Sequence, residues 1–158
     1  MASRKIVVLG NGTLRKKSKP VVAFDKDLHD LLDEMKTTMI EKHGAGIAAV
    51  QVGVLRQAII IELEDGEHLE IINPQILKTK GKSKSDEGCL SVPGFFCEVE
   101  RPQYVKIKAQ DRNGNFFEFE AKDFLAKCVS HEIDHLNGIL FVDLTKEGKA
   151  YKQELGVE

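Results

Sequence analysis

One short pattern constrains the fold of this chain more than any other feature: two histidines four residues apart, in a segment with helical periodicity. His131 and His135 flank Glu132 in the arrangement His-Glu-x-x-His. Because a helix turns by about 100° per residue, positions four apart share one face, so both imidazoles can reach a single metal ion with the carboxylate beside them. The pattern predicts a helix that carries a divalent-ion site and leaves one coordination position for water.

Apolar residues at helical spacing predict two helices. The first begins after Asp25, an N-capping residue, and ends near Gly44. The second runs from about Lys122 to Asn137, ends at Gly138 and contains the histidine pair. Because this second helix is expected to pack against sheets, its histidines are not expected simply to face solvent.

Four further runs predict antiparallel strand pairs. Ala58 to Leu63 and Leu69 to Ile76 are rich in β-branched residues and are separated by the turn sequence Glu-Asp-Gly. Val105 to Ala109 and Phe117 to Ala121 alternate apolar and polar residues on either side of an Asn-Gly turn. Hairpins and two helices without strict β-α-β alternation predict an α+β fold, in which antiparallel β-sheets pack around the helix that carries the histidines.

The chain has the size and composition of one globular unit. It contains 158 residues, of which 42% are hydrophobic and 30% are charged, and neither an internal repeat nor linker composition divides it. We therefore expect a single catalytic domain over residues 1–158. From about residue 146 the segment is charged and lacks apolar periodicity, so it is expected to form a surface helix or a tail.

Charge and cysteine content exclude several classes of protein. A formal net charge of -2 and a pI near 6.2 do not favour binding to DNA or other nucleic acid. Three cysteines are an odd number without the spacing of a secreted disulfide framework, which favours a reducing compartment. The first residues are too weakly apolar for a signal peptide or a membrane span, so a cytoplasmic protein without membrane association is expected.

The motif suggests hydrolysis, and its third metal ligand decides the class of enzyme. A metal ion lowers the pKa of bound water, and Glu132 can take the proton as that water attacks a carbonyl. Metzincin proteases place a third histidine where this chain has Phe141, which excludes that subclass. Another class of metallopeptidase uses a downstream glutamate, and Glu147 and Glu154 keep that alternative open.

The cysteines offer other ligands. Cys128 lies one turn before His131 and is expected to be a buried apolar residue, although it is also the candidate fourth ligand of a purely structural zinc site. Cys89 follows Gly88 in a segment that ends at Pro93, and on its own it could equally be a buried strand thiol. Cys97 is expected to be structural.

Three segments in order resemble the motifs of the peptide deformylase family. They are Gly-Ala-Gly-Ile-Ala-Ala-Val-Gln at residues 44–51, Glu-Gly-Cys-Leu-Ser at residues 87–91 and His-Glu-Ile-Asp-His at residues 131–135. The likeness extends over residues 14–141, and three motifs in register are far more specific than the histidine pair alone.

The resemblance implies a role for each of six residues. Cys89, His131 and His135 would bind the metal, and Glu132 would act as general acid and base. The side chain of Gln51 and the backbone N–H of Leu90 would stabilise the developing oxyanion.

The family removes the formyl group from N-formyl-methionyl peptides of nascent proteins and releases formate. The resemblance implies Fe²⁺ as the native metal, with Zn²⁺ or Ni²⁺ able to occupy the same site. It also implies a monomer that acts on nascent chains and is in contact with the ribosome. Four residues are expected to bind the substrate: Ala45, Gly46, Leu125 and Cys128.

Positions around the motifs add two expectations. Glu87, beside the cysteine ligand, is expected to form an ion pair with Arg101 and so to orient the ligands. Ala45, Lys127 and Ser130 depart from the residues common in the family, and the first two are expected to alter the substrate pocket.

Overall fold

The computed structural model describes residues 2–144 and the two residues of a short strand, 151–152. The described residues form α1 (Lys26–Glu41), β1 (Gly46–Ala48), β2 (Ala58–Glu62), β3 (His68–Lys80), β4 (Ser83–Cys89), β5 (Val92–Arg101), β6 (Tyr104–Gln110), β7 (Phe116–Lys122), α2 (Asp123–Leu136) and β8 (Tyr151–Lys152). Neither helix of this described part is long and apolar enough to cross a membrane.

The strands form two antiparallel sheets. The larger has the order β1-β2-β3-β6-β7, and the smaller has the order β4-β5-β8. Both hairpins predicted from the sequence, β2–β3 and β6–β7, are confirmed, although β3 continues to Lys80 beyond its predicted end at Ile76. The α+β fold is confirmed.

Helix α1 packs against one face of the larger sheet. The Asp25 side chain accepts a hydrogen bond from the backbone N–H of Leu28 at 3.1 Å, which caps the first turn as predicted. The leucines and methionines of the helix form an apolar cluster with Ile60 and Ile72 of the sheet. Burial of this face holds the helix on the sheet.

Helix α2 lies on the opposite face of the same sheet. Val129 and Ile133 pack in a second cluster with Ile59 and Ile61, the strand neighbours of the residues that face α1. The nearly continuous apolar run of β2 is explained by this arrangement, because the strand is covered on both sides. The helix ends before Gly138, whose φ of +75° suits glycine, as the sequence predicts.

The hairpin β4–β5 is not predicted by the sequence pattern. Strand β4 is rich in charged and small residues, and its alternation is not apolar: Glu87 is buried, whereas Asp86 and Gly88 are exposed. A register irregularity between Glu87 and Cys89 ends the regular pairing with β5. The hairpin therefore turns a carboxylate and a thiol toward α2.

The segment expected to be a tail from about residue 146 lies outside the described residues, apart from β8. There, Lys152 pairs with Phe95 and Tyr151 pairs with Phe96 of β5.

Candidate active site

The buried face of α2 is polar over its last two turns. Ser130, His131, Glu132 and His135 are all buried, although residues of these types usually face solvent. The two imidazole rings meet edge to face with their centroids 4.8 Å apart, and their Nε2 atoms lie 3.1 Å apart. The helical spacing thus brings two ring nitrogens to one point, as predicted.

Cys89 joins the histidines from the end of β4. Its Sγ lies 3.3 Å from Nε2 of His135, and the three ligand atoms of Cys89, His131 and His135 lie within 4.8 Å of one another. Gly88 makes this approach possible, because a Cβ at this position would lie 2.7 Å from the ring of Phe96. One thiol and two imidazoles at this separation fit a first-row divalent ion.

The orientation of His131 is fixed from behind by Glu87. Oε1 of Glu87 lies 2.9 Å from Nδ1 of His131, which directs Nε2 toward the ligand cluster. Arg101 donates to both carboxylate oxygens of Glu87, at 2.8 and 2.9 Å, and also to Asp134 at 2.5 Å. The predicted ion pair between Glu87 and Arg101 is therefore present.

The Glu87 carboxylate stays ionised within this network. Burial raises its pKa, but the hydrogen bonds with Arg101 and His131 outweigh burial and lower the pKa to about 2. Burial likewise works against the charge of Arg101, yet the two carboxylates raise its pKa. Glu87 and Arg101 therefore form a charged support behind His131.

The pKa values of the two histidines shift in opposite directions. Burial lowers the pKa of both rings; for His131 its contacts with Cys89 and Glu87 outweigh burial and raise the pKa, whereas His135 stays well below its usual value. A charge on one ring disfavours a charge on the other. The pKa directions therefore favour a proton on His131 and a neutral ring at His135.

Glu132 is a buried carboxylate beside the cluster. An added Cβ at Gly46 would lie 2.8 Å from its Oε2, so the side chain fills the space left by the glycine. Its Oε1 is buried and lacks a hydrogen-bond partner among the described residues. Burial raises the pKa of Glu132 to about 7, which suits a group that both accepts and returns a proton near neutral pH.

Gln51 is held inside the site rather than on the surface. It is 1% exposed, and its Oε1 accepts a hydrogen bond from the backbone N–H of Ala48 at 2.9 Å. Its Nε2 lies 3.2 Å from Oγ of Ser91 and 3.6 Å from Sγ of Cys89. The amide donor is therefore fixed next to the Cys89 thiol.

A cavity of about 400 Å³ opens onto these groups. Among the residues predicted to bind substrate or oxyanion, Ala45, Gly46, Gln51, Leu90 and Cys128 line it. Aromatic residues that the sequence analysis did not assign also line it: Phe95, Phe96 and Phe124.

The prediction that Leu125 lines this cavity is wrong. Leu125 packs against the apolar core between α2 and the larger sheet. One residue along a helix turns the side chain by about 100°, so the wall is built by Phe124, which lies seven residues before His131. Counting back three, four and seven residues from His131 would have identified this wall.

The remaining cysteines lie apart from the ligand cluster. Cys128 lines the cavity, where burial, followed by the nearby Glu132, raises the pKa of its thiol to about 12. Cys97 is buried in β5, as expected for a structural residue. The alternative ligands Glu147 and Glu154 lie outside the described residues.

Comparison with known proteins gives one consistent result. The family model described as polypeptide deformylase matches residues 3–150. A peptide deformylase of Caldicellulosiruptor bescii is 55% identical over 143 residues, which are 90% of this chain and 86% of that protein.

Solved structures give the same match. A peptide deformylase from Legionella pneumophila has a TM-score of 0.89 at 44% identity, covering 92% of this chain and 87% of that one. A peptide deformylase from Ehrlichia chaffeensis in complex with actinonin has a TM-score of 0.90 at 38% identity, covering 93% and 91%.

Proposed function

The chain belongs to the polypeptide deformylase family, and we propose that Cys89, His131 and His135 hold its metal ion while Glu132 moves the protons of the reaction. The protein is a metal-dependent hydrolase that removes the N-formyl group from nascent peptides. The observation that carries the residue assignment is the convergence of three ligand atoms within 4.8 Å beside a buried carboxylate.

The chemistry divides between the ion and the protein. Cys89, His131 and His135 would hold a divalent ion, which would supply Lewis-acid chemistry for water and for the formyl carbonyl. Glu132 accepts the proton of the attacking water and delivers a proton to the departing amine, and its pKa of about 7 suits both tasks.

Two donors stabilise the negative charge that develops on the formyl oxygen. The Gln51 amide is already oriented by Ala48 and Ser91, so it needs little reorganisation during the reaction. The backbone N–H of Leu90, the residue after the cysteine ligand, is the second proposed donor.

The shape of the cavity accounts for the choice of substrate. We propose that the end bounded by Gly46, Gln51 and Leu90 accepts the hydrogen of a formyl group and excludes the methyl group of an acetyl group. The methionine side chain enters the recess lined by Phe124 and Cys128. Burial of such a side chain contributes roughly 1.5–3 kcal/mol, enough to favour methionine over a small residue.

The native ion and the cellular setting are part of the proposal. We assign Fe²⁺ as the native metal, and the thiol and imidazole donors also suit Zn²⁺ and Ni²⁺. We further propose a cytoplasmic monomer that acts close to the ribosome, because a formylated N-terminus belongs to a newly made chain. A net charge of -2 supports a protein without a role in binding DNA.

The test is formate release by metal-loaded protein from matched peptides that begin with formyl-methionine, acetyl-methionine or free methionine. We expect formate from the formyl peptide and little cleavage of the other two. Casein serves as a protease substrate in parallel. Internal cleavage of casein without formate release would replace this proposal with the metallopeptidase alternative.

A further inference from the structure

A lysine lines the cavity that is proposed to take the methionine side chain. Lys127 lies on α2 one turn before His131 and lines the cavity. Its Nζ lies 3.4 Å from the backbone carbonyl oxygen of Asp86 on β4, so the side chain spans from the helix to the hairpin. Nζ also lies 4.9 Å from the centroid of the Phe124 ring, within the range of a cation–π contact.

Lys127 and Phe124 separate the recess from a second cavity. That cavity has a volume of about 170 Å³, and both residues line it as well as the recess. Its other walls are Ser83, Ser85, Arg101, Pro102 and Asp123. Lys127 therefore borders both cavities.

The ammonium group retains donors for a ligand. Lysine has three N–H donors, and the Asp86 carbonyl oxygen takes one of them. Among the described residues, no carboxylate lies within 4.0 Å of the Lys127 Nζ, which is absent from the ion pairs of this part of the chain. The Asp86 side chain is exposed, because Glu87 takes the inward-facing position next to it on the strand.

An apolar side chain makes no use of these donors. The thioether of methionine is a weak acceptor, whereas methionine sulfoxide has the same unbranched length and carries a polar oxygen at the sulfur. We propose that this site also accepts formylated peptides whose first residue is methionine sulfoxide, with Lys127 donating a hydrogen bond to the sulfoxide oxygen. The inference rests on the proposed function. The reaction is the same hydrolysis: one water is consumed, formate and a free amine are released, and the sulfoxide is unchanged.

Three peptides test the proposal: formyl-methionyl, formyl-norleucyl and formyl-methionine-sulfoxide versions of one amidated tripeptide, with the two sulfoxide epimers separated. Norleucine supplies the same length without an acceptor. The measured quantity is the ratio of kcat/KM for the sulfoxide peptide to that for the norleucine peptide, with nickel-loaded protein. For one epimer, the ratio is expected to lie near one in the wild-type protein.

Lys127→Met removes the donor and keeps an unbranched side chain. Because the sulfoxide oxygen loses its charged hydrogen-bond donor at this partly exposed end of the cavity, the ratio is expected to fall about two- to tenfold in this variant. Lys127→Arg keeps a donor and should retain most of the ratio. Lys84→Gln is the matched control: Lys84 is an exposed cation on β4, outside both cavities, so its loss should leave the ratio and the basal rate unchanged.

The outcomes separate this inference from the function on which it rests. Absence of formate from every peptide with wild-type protein would overturn the deformylase proposal itself. Hydrolysis of the methionine and norleucine peptides with an equal ratio in wild-type and Lys127→Met protein, or with neither sulfoxide epimer hydrolysed, would overturn only the sulfoxide proposal. If Lys127→Met loses turnover of all three peptides, the affinities of the unformylated sulfoxide and norleucine peptides are measured by calorimetry instead. An equal ratio of these two affinities in wild-type and Lys127→Met protein would overturn the sulfoxide proposal, and a lower ratio in the variant would support it.

Discussion

The two helices have similar length and periodicity, yet they differ in how many polar side chains they bury. α1 has 16 residues and buries leucine and methionine side chains, with Thr38 as its buried polar residue. α2 has 14 residues and buries Ser130, His131, Glu132 and His135 together with its apolar side chains. The larger sheet lies between the two helices. Helix α1 completes the apolar core on one face of the sheet, and α2 packs on the other face and carries the candidate active-site residues.

The difference lies in what each buried face requires. An apolar face is stabilised by any well-packed apolar surface, and the neighbours of α1 are aliphatic. A buried polar face depends on specific partners: His131 of α2 obtains Glu87 from the β4–β5 hairpin, and Arg101 holds Glu87 in turn. Substitutions on α2 and its partners should therefore change turnover, and those on α1 should change stability. Four predictions follow this order, from the largest effect on turnover to the smallest.

Cys89→Ala should abolish activity together with bound metal, because the ion is left with His131 and His135 alone. Cys128→Ala removes a cavity-lining thiol outside the ligand cluster and should keep its metal. Elemental analysis and formate release on the same samples measure both effects. The reverse pattern would assign the third ligand to Cys128.

Glu132→Gln should keep the fold and the metal while kcat falls on the order of 10²–10⁴-fold, because the amide cannot accept the proton of water. Ser130→Ala is the control on the same buried face, since its hydroxyl has no hydrogen-bond partner among the described residues. Steady-state kinetics on metal-replete protein make the comparison. Near-normal kcat for Glu132→Gln would remove the proposed proton transfer.

Arg101→Met should affect both turnover and stability. It leaves the Glu87 carboxylate buried without its cation, which costs about 3–5 kcal/mol of unfolding free energy, and loss of such support weakens metal binding about 10–100-fold. Arg112→Met breaks a more exposed pair with Glu70 and Asp33 and should leave metal affinity unchanged. Urea unfolding and metal titration measure the two quantities; equal metal affinities would make Arg101 a stability residue only.

Leu32→Ala should leave turnover nearly unchanged. The side chain is fully buried in the cluster between α1 and the sheet, and its loss costs about 2–5 kcal/mol of unfolding free energy. Kinetics at low temperature on the folded variant, together with urea unfolding, check both parts. A fall in kcat larger than that for Arg101→Met would contradict the division between the two helices.

Periodicity in the sequence was sufficient for the parts of the fold whose buried faces are apolar. It predicts α1, α2 and the hairpins β2–β3 and β6–β7, because apolar residues recur there at the helical or strand period. It does not predict β4–β5, since the inward-facing residues of β4 include Glu87, a buried charge that forms an ion pair with the Arg101 side chain of β5. Contacts of this kind are long-range and leave no local pattern.

The residues of the candidate site also differ in whether a local sequence pattern predicts them. The helical spacing predicts the two histidines and the carboxylate, and the motif resemblance implies Cys89, whose position depends on the irregular end of β4. The pocket assignment of Leu125 fails because a single-residue error on a helix exchanges the cavity wall for the core. Phe95 and Phe96 reach the cavity from β5, where no local signal in the sequence marks them.

One carboxylate oxygen restricts how this site can drift during evolution. Oε1 of Glu87 contacts Nδ1 of His131 and also accepts from Nη2 of Arg101, so the geometry of each neighbour depends on the other. A shorter aspartate at this position would withdraw from both at once, and no single change in either neighbour would restore the pair. Substitutions at these three positions are therefore expected to be coupled, so that the effect of two together differs from the sum of their separate effects.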